Sequence, residues 1–228
     1  MATRFHIHTE PGRGTLAAAD LTAPTPTRSR TGDADTAAEG YFCLPAAGEQ
    51  VSGDALAVAA GIGRRDVLVV DGLGHGHDAA IAARAATGSF HTSLGLPLVD
   101  AMRSIHQGIT GTRGAAVALL RISPSTVEFC GVGNVHALVH DGTGDHHLLS
   151  RPGIVGRGGA LVPAVQRRPL TGPATIVVHT DGVHGQPLPA TEIVPSLSPT
   201  LLAARLIQRH RQPRDDATVL VLTTGGTA

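Results

Sequence analysis

Short apolar runs separated by glycine-rich turns recur along this chain, and their spacing predicts a fold rich in β-strands. Residues 67–70 are apolar and mostly β-branched, which is typical of a buried strand, and this strand ends at Asp71. The turn over residues 72–76 contains three glycines, which let the backbone approach a ligand closely. An alanine-rich run then predicts a helix over residues 77–93, with Asp78 as its cap or first-turn acid. A carboxylate at a strand end beside a helix N-terminus suits a cation, a phosphate or both.

The segment just before this strand predicts a β-hairpin with its loop at residues 61–64. With Ala60 facing Arg65, the register places Asp54 opposite Asp71 at the open end of the hairpin. Two like charges side by side are destabilising unless a cation lies between them. The hairpin therefore predicts a pair of acids that needs a positive partner.

The rest of the pattern predicts further strands, two more helices and one long stretch without regular structure. Residues 10–40 are rich in Thr, Ala, Pro and Gly, which predicts a loop or mobile connection. Strands are predicted at residues 4–9, 41–44, 115–122, 127–130, 135–139, 146–149, 174–179 and 217–222, and helices at residues 97–108 and 201–211.

A second pair of acids lies at strand ends in the C-terminal half. Asp181 follows the strand at 174–179, and Asp215 precedes the strand at 217–222. If these strands are antiparallel neighbours, both carboxylates lie at one edge of a sheet. An aspartate on its own is more often a turn residue or a helix cap, but the coincidence of both pairs with strand ends favours a shared site. Such an oxygen-rich cluster suits Mg²⁺ or Mn²⁺ rather than zinc.

Composition and charge exclude several classes of function. The formal net charge is zero, so the chain as a whole is not drawn to nucleic acid or to a membrane. All 18 cationic residues are Arg, and the lack of Lys excludes a Walker-type phosphate loop and Schiff-base chemistry. Cys43 and Cys130 fit no zinc spacing, which favours a reduced pair. We see neither a signal-peptide core nor a run long enough to cross a bilayer, so we expect a cytoplasmic protein with no nucleic-acid and no membrane partner.

Five motifs resemble, in their order and spacing, the metal-dependent (type 2C, PPM) serine/threonine protein phosphatase family. They are S-G-D at 52–54, V-V-D-G-L-G-H-G at 69–76, G-V-G-N at 131–134, H-T-D-G-V at 179–183 and D-D-A-T-V-L-V-L at 215–222. The form D-G-L-G-H-G is most similar to the bacterial sporulation and stress-response (SpoIIE-like) branch. The resemblance implies an α/β (α+β) fold in which two antiparallel sheets pack as a sandwich, flanked by helices on both faces (α-β-β-α). It also implies two regions: residues 1–40, an N-terminal strand and mobile Thr/Pro-rich segment, and residues 41–228, the phosphatase domain.

The same resemblance implies a centre of two Mn²⁺ or Mg²⁺ ions. By position, Asp71 matches the carboxylate that bridges the two ions, and Gly72 matches the glycine whose carbonyl binds one of them. Asp181 and Asp215 match further metal ligands, and Asp54 matches an acid that often acts through water. Asp71, Asp181 and Asp215 are thereby the implied catalytic residues.

The chain departs from the family pattern at several positions. Leu73 stands where eukaryotic members have a His implied to act as general acid, and His75 follows two residues later. Asp216 falls where the family has Asn or Asp, which makes it a further candidate for the metal site. Arg113 and Arg151, near glycine turns, are candidates for the phosphate-binding Arg, although a solvated surface position is the simpler interpretation of each.

The implied activity is hydrolysis of phosphoserine or phosphothreonine by a metal-activated water, with no protein nucleophile. The implied partner is a phosphorylated bacterial regulator of partner-switching or stress signalling, of the anti-sigma-factor antagonist type. The alternative is a non-catalytic regulatory binding domain on the same fold.

Two other site types fit the turn after Asp71 less well. His75-Gly-His77-Asp78 resembles part of the H-x-H-x-D-H cluster of zinc hydrolases, but Asp78 comes one residue early and no His follows it. Gly72-x-Gly74 after a strand is typical of a dinucleotide site, but His77 replaces the last glycine of G-x-G-x-x-G. We therefore expect neither His75 nor His77 to bind zinc.

Overall fold

Two five-stranded antiparallel sheets pack face to face, with helices on both outer faces. The computed structural model describes residues 2–21, 38–159, 161–183 and 188–225. In chain order the elements are β1 (Ala2–Glu10), β2 (Gly14–Leu21), β3 (Glu39–Leu44), β4 (Asp54–Gly61), β5 (Arg64–Gly72), α1 (His77–Thr92), α2 (Leu98–Gly108), β6 (Ala115–Ser123), β7 (Thr126–Val132), β8 (His136–Asp141), β9 (Gly144–Leu148), β10 (Gln166–Pro169), β11 (Ala174–His179), α3 (Pro199–His210) and β12 (Ala217–Thr224). The predicted helix-flanked sandwich is confirmed.

The strand order places β5 and β11 inside their sheets rather than at the edges. One sheet has the order β10-β7-β6-β5-β4, and the other has the order β3-β12-β11-β8-β9. The second sheet covers one face of β5 and the helices α1 and α2 cover the other. Residues 67–70 therefore form a continuous apolar run rather than an alternating one. Val67 and Val69 belong to the core between the sheets, while Leu68 and Val70 pack with α1 and α2.

The opposite outer layer consists of α3. Its apolar face, including Leu202 and Leu206, packs on Val177 and Val219 of the second sheet. Ser198 caps the helix by accepting a hydrogen bond from the Leu201 N–H, and proline occupies the first helical turn. Within the described residues, no helix combines the length and the apolar character needed to cross a membrane.

An N-terminal hairpin lies beside α3. The predicted loop over residues 10–40 is wrong for residues 14–21, which form β2 and pair with β1 in an antiparallel hairpin. Residues 22–37 of the predicted loop lie outside the described residues, and the domain division at residue 40 stays a prediction.

Ion pairs attach this hairpin to α3. Arg205, which is only 6% exposed, donates to Glu10 at 2.7 Å and to the Glu192 carboxylate at 2.9 Å. Arg209 also binds both glutamates. We call Glu10, Glu192, Arg205 and Arg209 the ion-pair cluster. Its two cations match its two anions, so its buried charges are compensated within the chain.

Candidate metal centre

The hairpin β4–β5 brings the first two acids together as predicted. In its register Ala60 faces Arg65 and Asp54 faces Asp71, which confirms the predicted pairing. Directly opposite residues in an antiparallel pair have neighbouring side chains. Asp54 is 5% exposed, so its carboxylate is held away from water.

The second pair of acids lies at the matching edge of the other sheet. Strands β11 and β12 are antiparallel neighbours, as predicted, with His179 opposite Val219. Asp181 follows the end of β11 and Asp215 precedes the start of β12, so both lie at one edge of that sheet. We call Asp54, Asp71, Asp181 and Asp215 the acidic edge.

A buried threonine joins the two halves of the acidic edge. The Thr180 hydroxyl donates to Asp54 Oδ2 at 2.8 Å and accepts from the Thr218 N–H at 2.9 Å. The Thr180 N–H in turn donates to the Thr218 carbonyl at 3.1 Å. One side chain of the second sheet therefore fixes a carboxylate of the first, which sets the spacing of the two strand ends.

The carboxylates of the acidic edge lie among one another rather than beside cations. Burial, together with the negative charges of Asp54 and Asp181, raises the pKa of Asp71 to about 9. Burial also raises the pKa of Asp54 to about 7, although the bond from Thr180 opposes this shift. Burial and the charge of Asp181 raise the pKa of Asp215. Each shift shows that ionisation of these acids is opposed by their surroundings.

A divalent cation would favour ionisation of these acids and so lower their pKa values, and the oxygen donors at the acidic edge suit such a cation. Asp71 Oδ2 is buried and has no hydrogen-bond partner within the described residues. A buried polar atom of this kind needs a partner such as an ion. The available donors are carboxylate oxygens, which Mg²⁺ and Mn²⁺ prefer. In the described part of the chain, no group of three or more His, Cys, Asp or Glu side chains is arranged so that it could hold a metal ion. Other ligands, such as the water molecules that Mg²⁺ usually keeps, would have to join the carboxylates of the acidic edge.

Gly72 has a packing role at the start of the turn. A Cβ atom at this position would lie 2.5 Å from the Ala79 carbonyl oxygen and 2.7 Å from that of Gly53. Its N–H donates to the same Gly53 carbonyl at 3.1 Å. Only glycine lets β5 pass this close to α1, and this close approach positions the backbone next to Asp71.

Asp216 binds backbone groups of the loop before β4, and its place in the metal site stays a prediction. Its two carboxylate oxygens accept the backbone N–H groups of Ala46 and Gly53, each at 2.8 Å. Asp216 thereby fixes the loop that leads into β4 and hence the position of Asp54. Its partners are 170 and 163 residues away in the chain, so no local pattern could have shown this role.

Asn134 is a site residue that the residue-by-residue reasoning did not single out. Its side-chain amide donates to Asp181 Oδ2 at 2.5 Å, and Gln212 donates to the Asp181 carbonyl at 3.0 Å. The motif G-V-G-N at 131–134 is the sequence signal that points to Asn134. Asn134 orients Asp181 without adding charge.

The histidines of the turn lie at the rim of the acidic edge. His75 is exposed and its Nδ1 lies 2.7 Å from Glu49 Oε1. His77 begins α1 and is exposed to solvent. Arg113 pairs with Asp78 at 2.7 Å and lies near Gly74 of the same turn.

Comparisons with known proteins agree with this geometry. The family described as Stage II sporulation protein E (SpoIIE) matches residues 63–225. A solved structure described as "The bacterial stressosome: a modular system that has been adapted to control secondary messenger signaling" is 28% identical, with a TM-score of 0.76, over 82% of this chain and 98% of that one. RsbX in complex with magnesium is 20% identical, with a TM-score of 0.73, over 83% of this chain and 96% of that one.

The phosphatase domain of SpoIIE from Bacillus subtilis, solved with a fragment of its regulatory domain, is also similar. It is 18% identical, with a TM-score of 0.71, over 84% of this chain and 64% of that one. No curated protein matches the chain in sequence. Because the family match spans more than half of the chain, the chain belongs to the SpoIIE family, and its fold is similar to that of the PP2C phosphatase domain of SpoIIE.

Proposed function

We propose that the acidic edge binds two Mn²⁺ or Mg²⁺ ions and that the chain hydrolyses phosphoserine or phosphothreonine in a partner protein. The observation that carries this proposal is the buried, unpartnered Oδ2 of Asp71, which lies among three further acids. Family membership and the likeness to RsbX with magnesium support the choice of ion.

Each residue of the acidic edge has a proposed part. Asp71 would hold the ions together with the Gly72 carbonyl oxygen, and Asp181 and Asp215 would add ligands from the second sheet. Asp54 acts through water, because Thr180 already occupies its Oδ2. When bound, the ions supply Lewis acidity that activates water and neutralises phosphoryl charge. Asn134 keeps Asp181 oriented, and Asp216 keeps Asp54 in place.

The proposed substrate is a phosphorylated bacterial regulator of the anti-sigma-factor antagonist type. Support comes from the family match and from the likeness to the stressosome structure and to the RsbU and RsbW domains of Rv1364c from Mycobacterium tuberculosis. This last structure is 20% identical, so on its own it supports only the fold.

The test is hydrolysis of p-nitrophenyl phosphate and of a phosphoserine peptide with Mn²⁺, with Mg²⁺ and with excess chelator. We expect turnover with either ion and none with chelator. A well-folded protein that hydrolyses neither substrate with saturating Mn²⁺ would contradict the enzymatic proposal and favour the non-catalytic binding domain. Full turnover in excess chelator would contradict the metal centre.

A further inference from the structure

Two adjoining cavities share Arg157 and Gly158 as lining residues. One has a volume of about 390 Å³ and is also lined by Arg151 and Ile154. The other has a volume of about 600 Å³ and is also lined by Arg113. The lining side chains that matter here are three arginines and three exposed aliphatic residues. We call these six residues the arginine surface: Arg113, Arg151, Arg157, Ile81, Ile154 and Val162.

The arginine surface borders the acidic edge on the Asp71 side. Arg113 Nη1 lies 3.1 Å from the position that a Cβ atom on Gly74 would take, and Gly74 belongs to the turn that follows Asp71. The Leu73 N–H in the same turn donates to the Gly114 carbonyl at 3.0 Å. These contacts place the guanidinium of Arg113 beside Gly74, in the turn that follows Asp71.

The backbone of Arg151 pairs with the turn at residues 131–134, on the Asp181 side of the acidic edge. The Arg151 N–H donates to the Gly131 carbonyl at 2.9 Å, and the Arg151 carbonyl accepts from the Gly133 N–H at 2.8 Å. The next residue, Asn134, holds Asp181. The backbone of Arg151 therefore pairs with the turn whose last residue, Asn134, orients Asp181.

The charges on this surface are only partly compensated. Asp78 is the single acid that lines either cavity within the described residues, and it pairs with Arg113 at 2.7 Å. Arg157 donates through Nε to the Arg113 carbonyl at 2.9 Å, which orients it without neutralising it. In the described ranges, neither Arg151 nor Arg157 forms an ion pair with a carboxylate. Free guanidinium groups of this kind bind carboxylates and phosphates with two parallel hydrogen bonds.

Large aliphatic side chains are exposed between these arginines. Ile81 is 42% exposed, Ile154 is 39% exposed and Val162 is 68% exposed. No Phe, Tyr or Trp lies among the described lining residues, so the surface offers no platform on which a nucleic-acid base would stack. Mixed positive and aliphatic groups match a peptide that carries both acidic and apolar residues.

We propose that the arginine surface binds an acidic, partly apolar segment of the phosphoprotein substrate, next to its phosphorylated residue. This rests on the proposed function and names the part of the substrate that is recognised outside the phosphoryl group. In this arrangement, Asp78 competes with the incoming acids for Arg113. The surface thus selects substrates by the charge of the flanking segment.

The test uses two fluorescent, unphosphorylated peptides that differ only in three Asp residues replaced by Asn, with metal-free full-length protein. Wild-type protein should bind the Asp peptide more tightly than the Asn peptide. Arg157→Gln should raise the Kd of the Asp peptide on the order of tenfold. Asp78→Asn should lower it, because Arg113 loses its internal partner. Arg13→Gln, at the turn of the hairpin beside α3, removes the same charge elsewhere and should leave this Kd unchanged.

Several results would overturn the docking proposal. Equal Kd values for the two peptides would do so, as would equal effects of Arg157→Gln and Arg13→Gln in variants whose thermal unfolding matches wild type. If Arg157→Gln does not fold, Arg151→Gln replaces it with the same expectation. Tighter binding of a single-stranded RNA oligomer than of the Asp peptide would also overturn it.

Failure of the proposed function would look different. In that case wild-type protein would not hydrolyse p-nitrophenyl phosphate with Mn²⁺, while the charge-dependent peptide binding of the metal-free protein would persist and support the docking surface.

Discussion

Glu10 and Glu192 lie among arginines, whereas the aspartates of the acidic edge lie among one another. Bonds from Arg205, His8 and Arg209 lower the pKa of Glu10 to about 2. Burial and neighbouring acids raise the pKa of Asp71 to about 9. The surroundings therefore shift the pKa of the same functional group, a carboxyl, in opposite directions.

The comparison separates a structural from a functional use of carboxylates. The ion-pair cluster contains its own cations, so it is complete and attaches the hairpin to α3. The acidic edge is also fixed by hydrogen bonds, which involve Thr180, Asn134 and Asp216. These bonds do not compensate its negative charges. A cation from solution would compensate these charges, and this is what makes the acidic edge a candidate active site.

Removing a charge from the acidic edge should have the largest effect on function. Asp71→Asn keeps the side-chain volume but removes the carboxylate proposed to contact both ions. We expect turnover of p-nitrophenyl phosphate with saturating Mn²⁺ to fall by at least about 10²-fold. Asp54→Asn should be milder, and Asp100→Asn, on the exposed surface of α2, should leave turnover unchanged. Near-normal turnover of Asp71→Asn would contradict the bridging role.

The same substitution should not destabilise the metal-free protein. With a folded pKa of about 9 against its ordinary pKa of 3.8, Asp71 stays protonated in the folded state over a pH range in which it ionises in the unfolded state. Its contribution to stability is therefore full below about pH 4 and is lost as the pH rises through 9. Asn cannot titrate, so Asp71→Asn should flatten the decline in unfolding free energy between pH 5 and pH 8. Urea unfolding in chelator measures this, and an unchanged slope would contradict the shifted pKa.

Breaking the ion-pair cluster should affect stability instead. Arg205→Ala removes one of the two arginines that bind Glu10 and Glu192 and leaves Arg209, so it should cost about 2 kcal/mol of unfolding free energy through lost charged hydrogen bonds. Arg103→Ala breaks an exposed pair with Asp100 and should cost less than about 0.5 kcal/mol. Equal costs for the two variants would show that the cluster is not structural.

Asp216 tests whether a carboxylate next to the acidic edge can be purely structural. Asn has one oxygen in place of two, so Asp216→Asn loses the bond to Ala46 or to Gly53, which should cost about 2 kcal/mol. Turnover per folded molecule should fall far less than in Asp71→Asn. Loss of Mn²⁺ binding with unchanged stability would instead make Asp216 a metal ligand.

The smallest effect is expected from Glu10 at neutral pH, and it should grow in acid. The pKa of Glu10 is lowered to about 2, so its stabilisation is full above its ordinary pKa of 4.5 and is lost as the pH falls toward 2. Wild type should therefore lose unfolding free energy between pH 4.5 and pH 2 more steeply than Glu10→Gln. Parallel curves for the two proteins would contradict the shift.

Local patterns were sufficient for the first pair of acids, whereas the sandwich was implied by the resemblance to a known family. The continuous apolar run at residues 67–70 and its short hairpin fix a register, and the register alone places Asp54 opposite Asp71. Strand β11 has the predicted bounds, because its apolar residues lie between a Gly-Pro turn and Asp181.

Other features depend on partners that are distant in the chain. Residues 14–21 contain three Ala residues, one Gly and one Asp, all poor strand formers, and β2 forms by pairing with β1 beside α3. Glu10 and Arg205 are 195 residues apart, and Asp216 and Ala46 are 170 apart. Neither contact leaves a periodic signal, so both required the fold to be known.

The most direct test of the account is a calorimetric titration of Mn²⁺ into metal-free protein at pH 7, repeated in two buffers that differ in ionisation enthalpy. We expect two ions per chain and release of about one proton or more, because Asp71 is protonated before the ions bind. Asp71→Asn should bind weakly and release fewer protons, while Asp100→Asn should match wild type. Wild-type protein that binds no Mn²⁺, or an Asp71→Asn protein that binds it with unchanged stoichiometry and proton release, would contradict the central claim that the acidic edge is a metal centre.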